Sequence, residues 1–259
     1  MSNNSLQIKF LGTGTSQGVP VIGCHCQVCL SENKKDKRLR TSVLIRKGDK
    51  TIVVDIGPDF RQQMLRAGVQ DLDAVLITHE HNDHVAGLDD IRPFNFKYWK
   101  DMPVFAAERV QMQLKKRFSY VFSENPYPGA PMIQLNAIEK DQGFTAAGIS
   151  ILPIEVMHGS LPVLGFRIDD FVYLTDVKTI SMEEKRKAKH AKVLVLSALH
   201  RKAHHSHLSL NQAIELIGEL APERAFLTHL SHQMGLHEKV SELLPENVSI
   251  AYDGLELEV

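Results

Sequence analysis

The heptapeptide THEHNDH, from Thr78 to His84, constrains this chain more than any other stretch. Three histidines and one aspartate stand within six positions, directly after the apolar run 73–77, which is typical of a buried strand. A loop that leaves a strand end can aim several side chains at one point, and neutral imidazole and carboxylate suit zinc, manganese or iron. We expect His79 and His81 to share one cation, and Asp83 and His84 to hold a second cation beside it.

The overall composition is that of a globular protein with a sizeable core. The chain has 259 residues, 43% of them hydrophobic, and a formal net charge of -1. This charge gives no support for a general attraction to nucleic acid or membranes. The polar start of the chain lacks an export signal, and no run is long enough to span a bilayer. The expected location is therefore the cytoplasm.

The three cysteines lie close together, at Cys24, Cys26 and Cys29. In a chain without an export signal, an odd and tightly spaced set favours metal thiolates over disulfides.

Strands occur in runs with helices between them, in two comparable halves. Strands are predicted over 6–11, 42–46, 51–56, 73–77, 104–105, 149–155, 163–168, 171–175, 193–197 and 225–228. Helices are predicted over 58–67, 108–118, 182–189 and 211–220, and residues 123–131 are expected to form an ordered loop. This order predicts an α/β fold with two sheets packed face to face and helices outside, in one domain over residues 1–259.

Further ligand types follow other predicted strands. Tyr173-Leu174-Thr175-Asp176 and Phe226-Leu227-Thr228-His229 each end an apolar run in threonine and then a ligand, as the run before His79 does, and His158 ends a fourth strand. We expect these strand ends to converge on one edge. The predicted ligands are His79, His81 and His158 for the first metal, Asp83, His84 and His229 for the second, and Asp176 as a bridge between them.

The HEHNDH motif together with His158, Asp176 and His229 resembles the metallo-β-lactamase superfamily. The resemblance covers nearly the whole chain. It implies an αββα sandwich with a two-metal site at one edge.

A narrower resemblance, to the PhnP-type cyclic phosphodiesterases, rests on the segments GTG at 12–14, GCHCQVC at 23–29 and THLSHQ at 228–233. That family carries a separate structural zinc on three cysteines and a histidine. By motif, these residues are Cys24, Cys26, Cys29 and His232. The same set suits tetrahedral zinc, which needs a fourth ligand besides three thiolates. His25 is the rival fourth ligand, disfavoured because its two neighbours already bind.

The expected reaction is hydrolysis of a phosphodiester. Two divalent cations minus the charges of Asp83 and Asp176 leave a surplus of about two positive charges, which suits a phosphate ester better than a neutral amide. A hydroxide bridging the metals is the expected nucleophile. His207, just before a predicted helix, is the candidate general acid, and the resemblance supports a catalytic histidine there. The expected catalytic residues are thus His207 and Asp83.

Two other functions stay open at this stage. A tRNA 3′-end endonuclease would need an extended RNA-clamping arm, and no long basic insertion is visible to supply one. A non-catalytic, metal-stabilised binding module is the second alternative. The leading expectation is a small phosphate-ester substrate, such as a cyclic ribosyl or nucleotide-like ester, rather than a long nucleic acid. The sequence leaves open manganese or zinc in the catalytic site, and monomer or homodimer.

Overall fold

The structure is a computed structural model that describes residues 5–259. Fourteen strands form two sheets of seven strands each. The first sheet contains β1 (Leu6–Gly12), β2 (Ser42–Lys47), β3 (Lys50–Val54), β4 (Ala74–Leu76), β5 (Met102–Ala106), β6 (Ile133–Ala137) and β14 (Glu256–Glu258). The second contains β7 (Phe144–Ala146), β8 (Ile149–His158), β9 (Leu161–Ile168), β10 (Phe171–Leu174), β11 (Val193–Ser197), β12 (Arg224–Thr228) and β13 (Val248–Ile250).

In the described part of the chain, eight α-helices connect or cover these strands. They are α1 (Gln27–Leu30), α2 (Phe60–Ala67), α3 (Asn82–Val85), α4 (Arg92–Tyr98), α5 (Glu108–Arg117), α6 (Met182–Ala188), α7 (Leu210–Leu220) and α8 (His237–Ser241). Within residues 5–259, none of them has the combination of length and apolar character that crossing a bilayer requires.

The two sheets share one plan. The order is β14-β1-β2-β3-β4-β5-β6 in the first and β13-β12-β11-β10-β9-β8-β7 in the second. In the first sheet β3, β4, β5 and β6 run parallel, and in the second β10, β11, β12 and β13 do so. The remaining neighbours pair antiparallel. Each sheet therefore brings the carboxyl ends of several neighbouring strands to one edge.

Three large clusters of buried apolar side chains stabilise the fold. Phe10, Phe166 and Tyr173 belong to the cluster between the two sheets, and all three are fully buried. A second cluster packs α7 against the outer face of the second sheet, and a third packs α2 and α5 against the first sheet. The layers are helix, sheet, sheet and helix, which confirms the predicted αββα sandwich. The shared central core supports the expectation of one domain, which stays a prediction.

Local sequence signals fix several element ends. Ser209 caps α7 by accepting a hydrogen bond from the backbone N–H of Gln212, whose side chain accepts from Ser209 N–H in return. Gly68 ends α2 in a left-handed conformation (φ 64°), as predicted. The helix begins at Phe60 rather than at Pro58, because Asp59 stays outside it and accepts the backbone N–H of Arg40.

Several short helices and strands of the structure were not predicted from the sequence. The ligand-bearing segment contains a short helix, α3, and residues 92–98 form α4. Strands β6 and β7 were not predicted. Each of these elements has at most seven residues, which is too short for hydrophobic periodicity to identify it from sequence.

Candidate metal centre

The strand ends that were expected to meet do lie at one edge of the sandwich. Parallel β3 and β4 bring Asp55 and His79 there from the first sheet, and parallel β10 and β12 bring Asp176 and His229 from the second. The sheets are tied together at this edge. The backbone N–H of Leu164 donates to the carbonyl oxygen of Thr78 over 3.1 Å.

Three of these strand-end residues adopt a left-handed backbone conformation. The φ angle is 63° for Asp55, 55° for Asp176 and 57° for His229. This conformation is uncommon outside glycine, although aspartate and histidine tolerate it better than most residues. It costs on the order of 1–2 kcal/mol per residue and recurs at functional sites. Here it stops the strand pleat at the residue whose side chain joins the cluster.

Two glycines let the ligand segment approach the first sheet. A Cβ on Gly57 would overlap the carbonyl oxygen of Asp83, and a Cβ on Gly87 would overlap that of Gly57. The backbone N–H of Gly87 donates to the carbonyl oxygen of Ile56 over 2.8 Å. Any larger residue at either position would push α3, and with it Asp83 and His84, away from the sheet.

One group of ligand atoms combines Asp83, His84 and His229. His84 Nε2 lies 3.3 Å from a carboxylate oxygen of Asp83 and 3.3 Å from one of Asp176. His229 Nε2 lies 3.6 Å from Asp83 and 3.3 Å from Asp176. These separations suit ligands around one ion, since donors about 2.0–2.2 Å from a metal lie roughly 3–3.6 Å apart. This group matches the set predicted for the second metal.

The set predicted for the first metal is arranged less simply. His79 Nε2 and His81 Nδ1 lie 2.9 Å apart, and the His158 ring lies 5.3 Å from the His81 ring, centre to centre. By distance between ligand atoms, however, His79 groups with His84 and Asp176, and His158 groups with Asp176 and His207. Asp176 and His84 each belong to two groups, and of these only the carboxylate has a second oxygen with which to bridge two ions. None of the groups found among residues 5–259 includes His81. The partition of the other ligands between two ions stays a prediction.

His207 lies inside the cluster, as predicted. Its ring packs 4.4 Å from the His158 ring and 5.1 Å from the His229 ring, centre to centre, and its Nδ1 is 3.8 Å from a carboxylate oxygen of Asp176. This position fits a proton donor, and it also fits a ligand. The loop that carries it is held by Lys178, whose ammonium donates to the His204 carbonyl oxygen over 2.6 Å. Sequence reasoning missed Lys178.

Several buried polar atoms at the centre have no hydrogen-bond partner in the described part of the chain. They are His84 Nε2, His207 Nδ1 and both ring nitrogens of His229. An unpartnered buried polar atom costs roughly 1–3 kcal/mol, so a cluster of them at one point is unusual. A bound cation would satisfy the nitrogens of His84 and His229, and the donor set therefore fits the divalent metals that the sequence predicts.

The charges of the cluster favour a cation at its centre. Burial alone would lower the pKa of His84, but Asp55, Asp83 and Asp176 outweigh it and raise that pKa well above its ordinary value. Burial would raise the pKa of Asp176, but His229 and His84 outweigh it and hold that pKa well below its ordinary value. The acids thus stabilise positive charge between the rings, and a metal ion would supply it in place of a proton.

Asp55 is the functional residue that sequence reasoning missed. It is fully buried, its Oδ1 accepts the backbone N–H of Thr78, and the Thr78 hydroxyl hydrogen is shared between its two oxygens. Its Oδ2 also lies 2.6 Å from His84 Nδ1, so Asp55 fixes the ring with Nε2 facing the cluster. The signal was present, because Asp55 follows the apolar strand β3 as Asp176 follows β10.

A second cluster lies apart from the first. The three sulfurs of Cys24, Cys26 and Cys29 lie 3.2, 3.4 and 3.5 Å from Nδ1 of His232. In tetrahedral zinc, thiolate sulfur and imidazole nitrogen are about 3.5 Å apart, so this geometry fits the expected structural site. His25 is exposed and does not belong to the group.

The thiols of Cys26 and Cys29 differ in pKa. A hydrogen bond from the backbone N–H of Cys29 lowers the pKa of Cys26 to about 6, and His232 adds to this effect. Burial raises the pKa of Cys29 to about 11. At neutral pH Cys26 is therefore the thiolate that can bind first, and the metal would then displace the remaining protons.

Comparison with known proteins agrees with this geometry. Residues 50–230 match the family described as the β-lactamase superfamily domain. A solved structure of a diphosphatase from the PhnP family superposes with a TM-score of 0.92 and 34% identity, over 98% of this chain and 97% of that one.

Two curated relatives carry names other than diphosphatase. An octanoyltransferase from Porphyromonas gingivalis is 46% identical over 248 residues, which is 95% of this chain and 50% of that protein. A ribonuclease Z from a Mycobacterium species is 25% identical over 148 residues, or 51% of this chain and 52% of that protein. The chain thus spans about half the length of the curated relatives that it matches.

We predict that Cys26→Ser removes one metal equivalent per chain and lowers the thermal midpoint, because a serine hydroxyl is a poor zinc ligand. Elemental analysis of the purified protein and a thermal unfolding curve measure the two effects. His25→Ala is the matched control, and it should keep the full metal content. A loss of metal in His25→Ala instead would make His25 the fourth ligand.

We predict that Asp55→Asn weakens binding of one active-site metal by about 10–100-fold, because the amide cannot hold the His84 ring as a carboxylate does. Titration of the metal-depleted protein in buffers of defined free metal measures this affinity. Asp49→Asn is the control, since the side chain of Asp49 is 86% exposed. An unchanged affinity in Asp55→Asn would refute the positioning role.

Proposed function

The chain belongs to the metallo-β-lactamase superfamily, close to the PhnP family, and from this premise we propose that it is a dinuclear-metal phosphodiesterase that hydrolyses a small phosphate ester. The observation that carries the proposal is the convergence of six imidazole and carboxylate side chains, some with unpartnered ring nitrogens, at one edge of the sandwich, with His81 in contact with one of them, His79. The proposed ligands are His79, His81, Asp83, His84, His158, Asp176 and His229.

Two divalent cations at this edge would supply Lewis acidity toward the ester and a water nucleophile that is active near neutral pH. Manganese and zinc both suit the donor set. The protein's contribution is orientation. Asp55 fixes the His84 ring, and the carbonyl oxygen of Ser206 accepts the Nδ1 hydrogen of His158 over 2.8 Å, which leaves Nε2 of each ring toward the cluster.

Electrostatics support a phosphate ester as the substrate. The carboxylates of Asp83 and Asp176 neutralise about two of the four charges that two divalent cations would bring. Asp55 adds a third buried carboxylate at the same edge, so the surplus is nearer one positive charge than two. A phosphodiester carries one negative charge and matches this balance, whereas a neutral amide does not.

His207 is the proposed general acid for the leaving alkoxide. Burial, reinforced by the neighbouring His229, lowers the pKa of His207 to about 3, so the protein's own groups keep its ring neutral near pH 7. The negative charge of a bound ester beside it opposes that shift and favours the imidazolium. We therefore expect His207 to take up a proton from solvent when the ester binds, rather than to hold it beforehand.

The octanoyltransferase activity named for the relative from Porphyromonas gingivalis is not proposed for this chain. The match covers 50% of that protein, and the features of the chain described here are a metal centre and a thiolate cluster. We propose that the transferase activity resides in the part of that protein outside the match.

A tRNA 3′-end endonuclease is the alternative enzyme, favoured by the partial similarity to ribonuclease Z. A long RNA needs a basic clamping surface beyond the metal centre. In residues 5–259 the longest connection between regular elements is 118–132, which is short for such an arm. A small ester is therefore the preferred substrate.

We predict metal-dependent hydrolysis of bis-p-nitrophenyl phosphate by the purified protein. Prior treatment with a chelator should abolish the activity, and added manganese or zinc should restore it. Release of nitrophenolate is the readout. Activity that survives removal of all bound metal, verified by elemental analysis, would end the metallo-hydrolase proposal, as would no activity in fully loaded protein. Precise cleavage of a precursor tRNA would favour the alternative enzyme.

We predict that His207→Asn keeps the full metal content and lowers kcat by roughly 10²–10⁴-fold on a dialkyl phosphodiester, whose leaving alkoxide needs a proton as nitrophenolate does not. His190→Asn is the matched control, because His190 is exposed in the turn after α6. Loss of a metal equivalent in His207→Asn would make His207 a ligand instead. Near-normal turnover would remove it from the mechanism.

A further inference from the structure

We propose that Arg117, Tyr120 and Tyr127, here called the tyrosine rim, form a subsite that binds the nucleoside part of a nucleotide-like phosphodiester. This inference rests on the proposed function and names the class of substrate for the same site. None of the three residues belongs to the metal clusters. Each of them is exposed.

The rim borders the ligand segment on its open side. Arg117, the last residue of α5, donates from Nη1 to the carbonyl oxygen of Glu80 over 2.9 Å. Glu80 lies between two proposed ligands, His79 and His81. His79 is buried whereas His81 is exposed, so the cluster opens to solvent on the side of His81. The guanidinium of Arg117 is thus held next to the segment that forms this opening.

The two tyrosines are fixed to Asp89 and Arg92, which follow the ligand segment in the chain. Tyr120 donates its hydroxyl hydrogen to Asp89 over 2.6 Å. Arg92 forms an ion pair with Asp89 and contacts the Tyr127 hydroxyl from Nη1 over 3.4 Å. The two tyrosine rings lie 6.0 Å apart with an interplanar angle of 28°. These anchors hold two aromatic faces in place.

The aromatic faces are available to a ligand. Tyr120 is 38% exposed and Tyr127 is 48% exposed, although each hydroxyl has a polar partner. A buried tyrosine contributes to a core, whereas an anchored and exposed pair presents a flat apolar surface at little cost in side-chain entropy. Such a surface fits a planar heterocycle, which stacks on aromatic rings.

The charge of the rim fits the same ligand. Arg109 forms an ion pair with Glu80, which neutralises that carboxylate. Arg117 has no carboxylate within ion-pair distance among residues 5–259. An unpaired guanidinium at the ligand segment, three residues before Tyr120 in the chain, suits a ligand that is planar at one end and anionic at the other. A nucleoside attached to the reacting phosphate has this combination.

The experiment compares two esters with the same leaving group. One is the p-nitrophenyl ester of thymidine 5′-phosphate, and the other is methyl p-nitrophenyl phosphate, which lacks the nucleoside. We expect Tyr120→Leu and Tyr127→Leu each to lower kcat/KM for the thymidine ester by roughly tenfold, the usual effect of losing one stacking partner. Hydrolysis of the methyl ester should stay within about twofold.

Tyr98→Leu is the matched control. Tyr98 is also an exposed tyrosine that donates to an aspartate, Asp71, but it lies at the end of α4 beside the loop at 70–71, which carries no ligand. It should change neither rate. Equal losses on both esters in the rim variants, or no loss on either, would overturn the subsite. Circular dichroism and metal analysis confirm that the variants are folded and loaded.

Binding separates the failure of the subsite from the failure of the proposed function. If the wild-type protein hydrolyses neither ester, the proposed function fails. Calorimetric titration with thymidine 5′-phosphate and with methyl phosphate then tests the subsite by itself. A preference for the nucleotide that Tyr120→Leu removes and Tyr98→Leu keeps would support it. Equal affinity for both ligands would refute it.

Discussion

The structure depends on a concentration of polar groups that a fold would ordinarily avoid. His79, His84, Asp55, Asp176 and His229 are almost fully buried at the edge where the two sheets meet. Burial of ionisable groups is costly unless each has a partner. Asp55 obtains partners from Thr78 and His84, but the inward nitrogens of His84 and His229 do not. The rest of the fold must therefore offset the cost of burying these groups until a cation binds, and the large apolar core between the sheets supplies that stability.

The backbone shows how this is done. A strand directs side chains alternately to its two faces, so an inward-facing ligand at a strand end needs a break in the pleat. Left-handed residues at Asp55, Asp176 and His229 supply the break in three strands. In the fourth, Gly57 and Gly87 let α3 lie directly on the sheet. The local strain is offset by packing around it, which is why such conformations persist at sites where geometry matters.

The sequence predicts the features that depend on a repeated local pattern. It does not predict those that depend on contacts between distant parts of the chain. The buried strands and the αββα layers follow from apolar runs of ordinary length, and Thr78-His79, Thr175-Asp176 and Thr228-His229 share a visible motif. Asp55 also follows an apolar strand, but Val54 precedes it in place of threonine, so it lacks the full motif, and the contact with His84 shows its role. Likewise, the grouping of His158 with Asp176 and His207 arises from the packing of three separate strands and loops. No spacing along the chain encodes it.

The thiolate cluster is connected to the metal centre through the short segment from His229 to His232. His232 is three residues after His229, and the segment between them is clamped. The backbone N–H of Leu230 donates to the carbonyl oxygen of Thr13 over 2.9 Å, and that of Thr15 donates to the carbonyl oxygen of Leu230 over 3.1 Å. A metal on Cys24, Cys26, Cys29 and His232 would fix the far end of this segment to the loop at 24–29. The turn at 12–15 therefore holds the segment that follows His229 through backbone hydrogen bonds. Loss of the structural metal would free His232, but the backbone hydrogen bonds of Thr13 and Thr15 to Leu230 would still hold the residue next to His229. The first effect expected is therefore on stability rather than on chemistry.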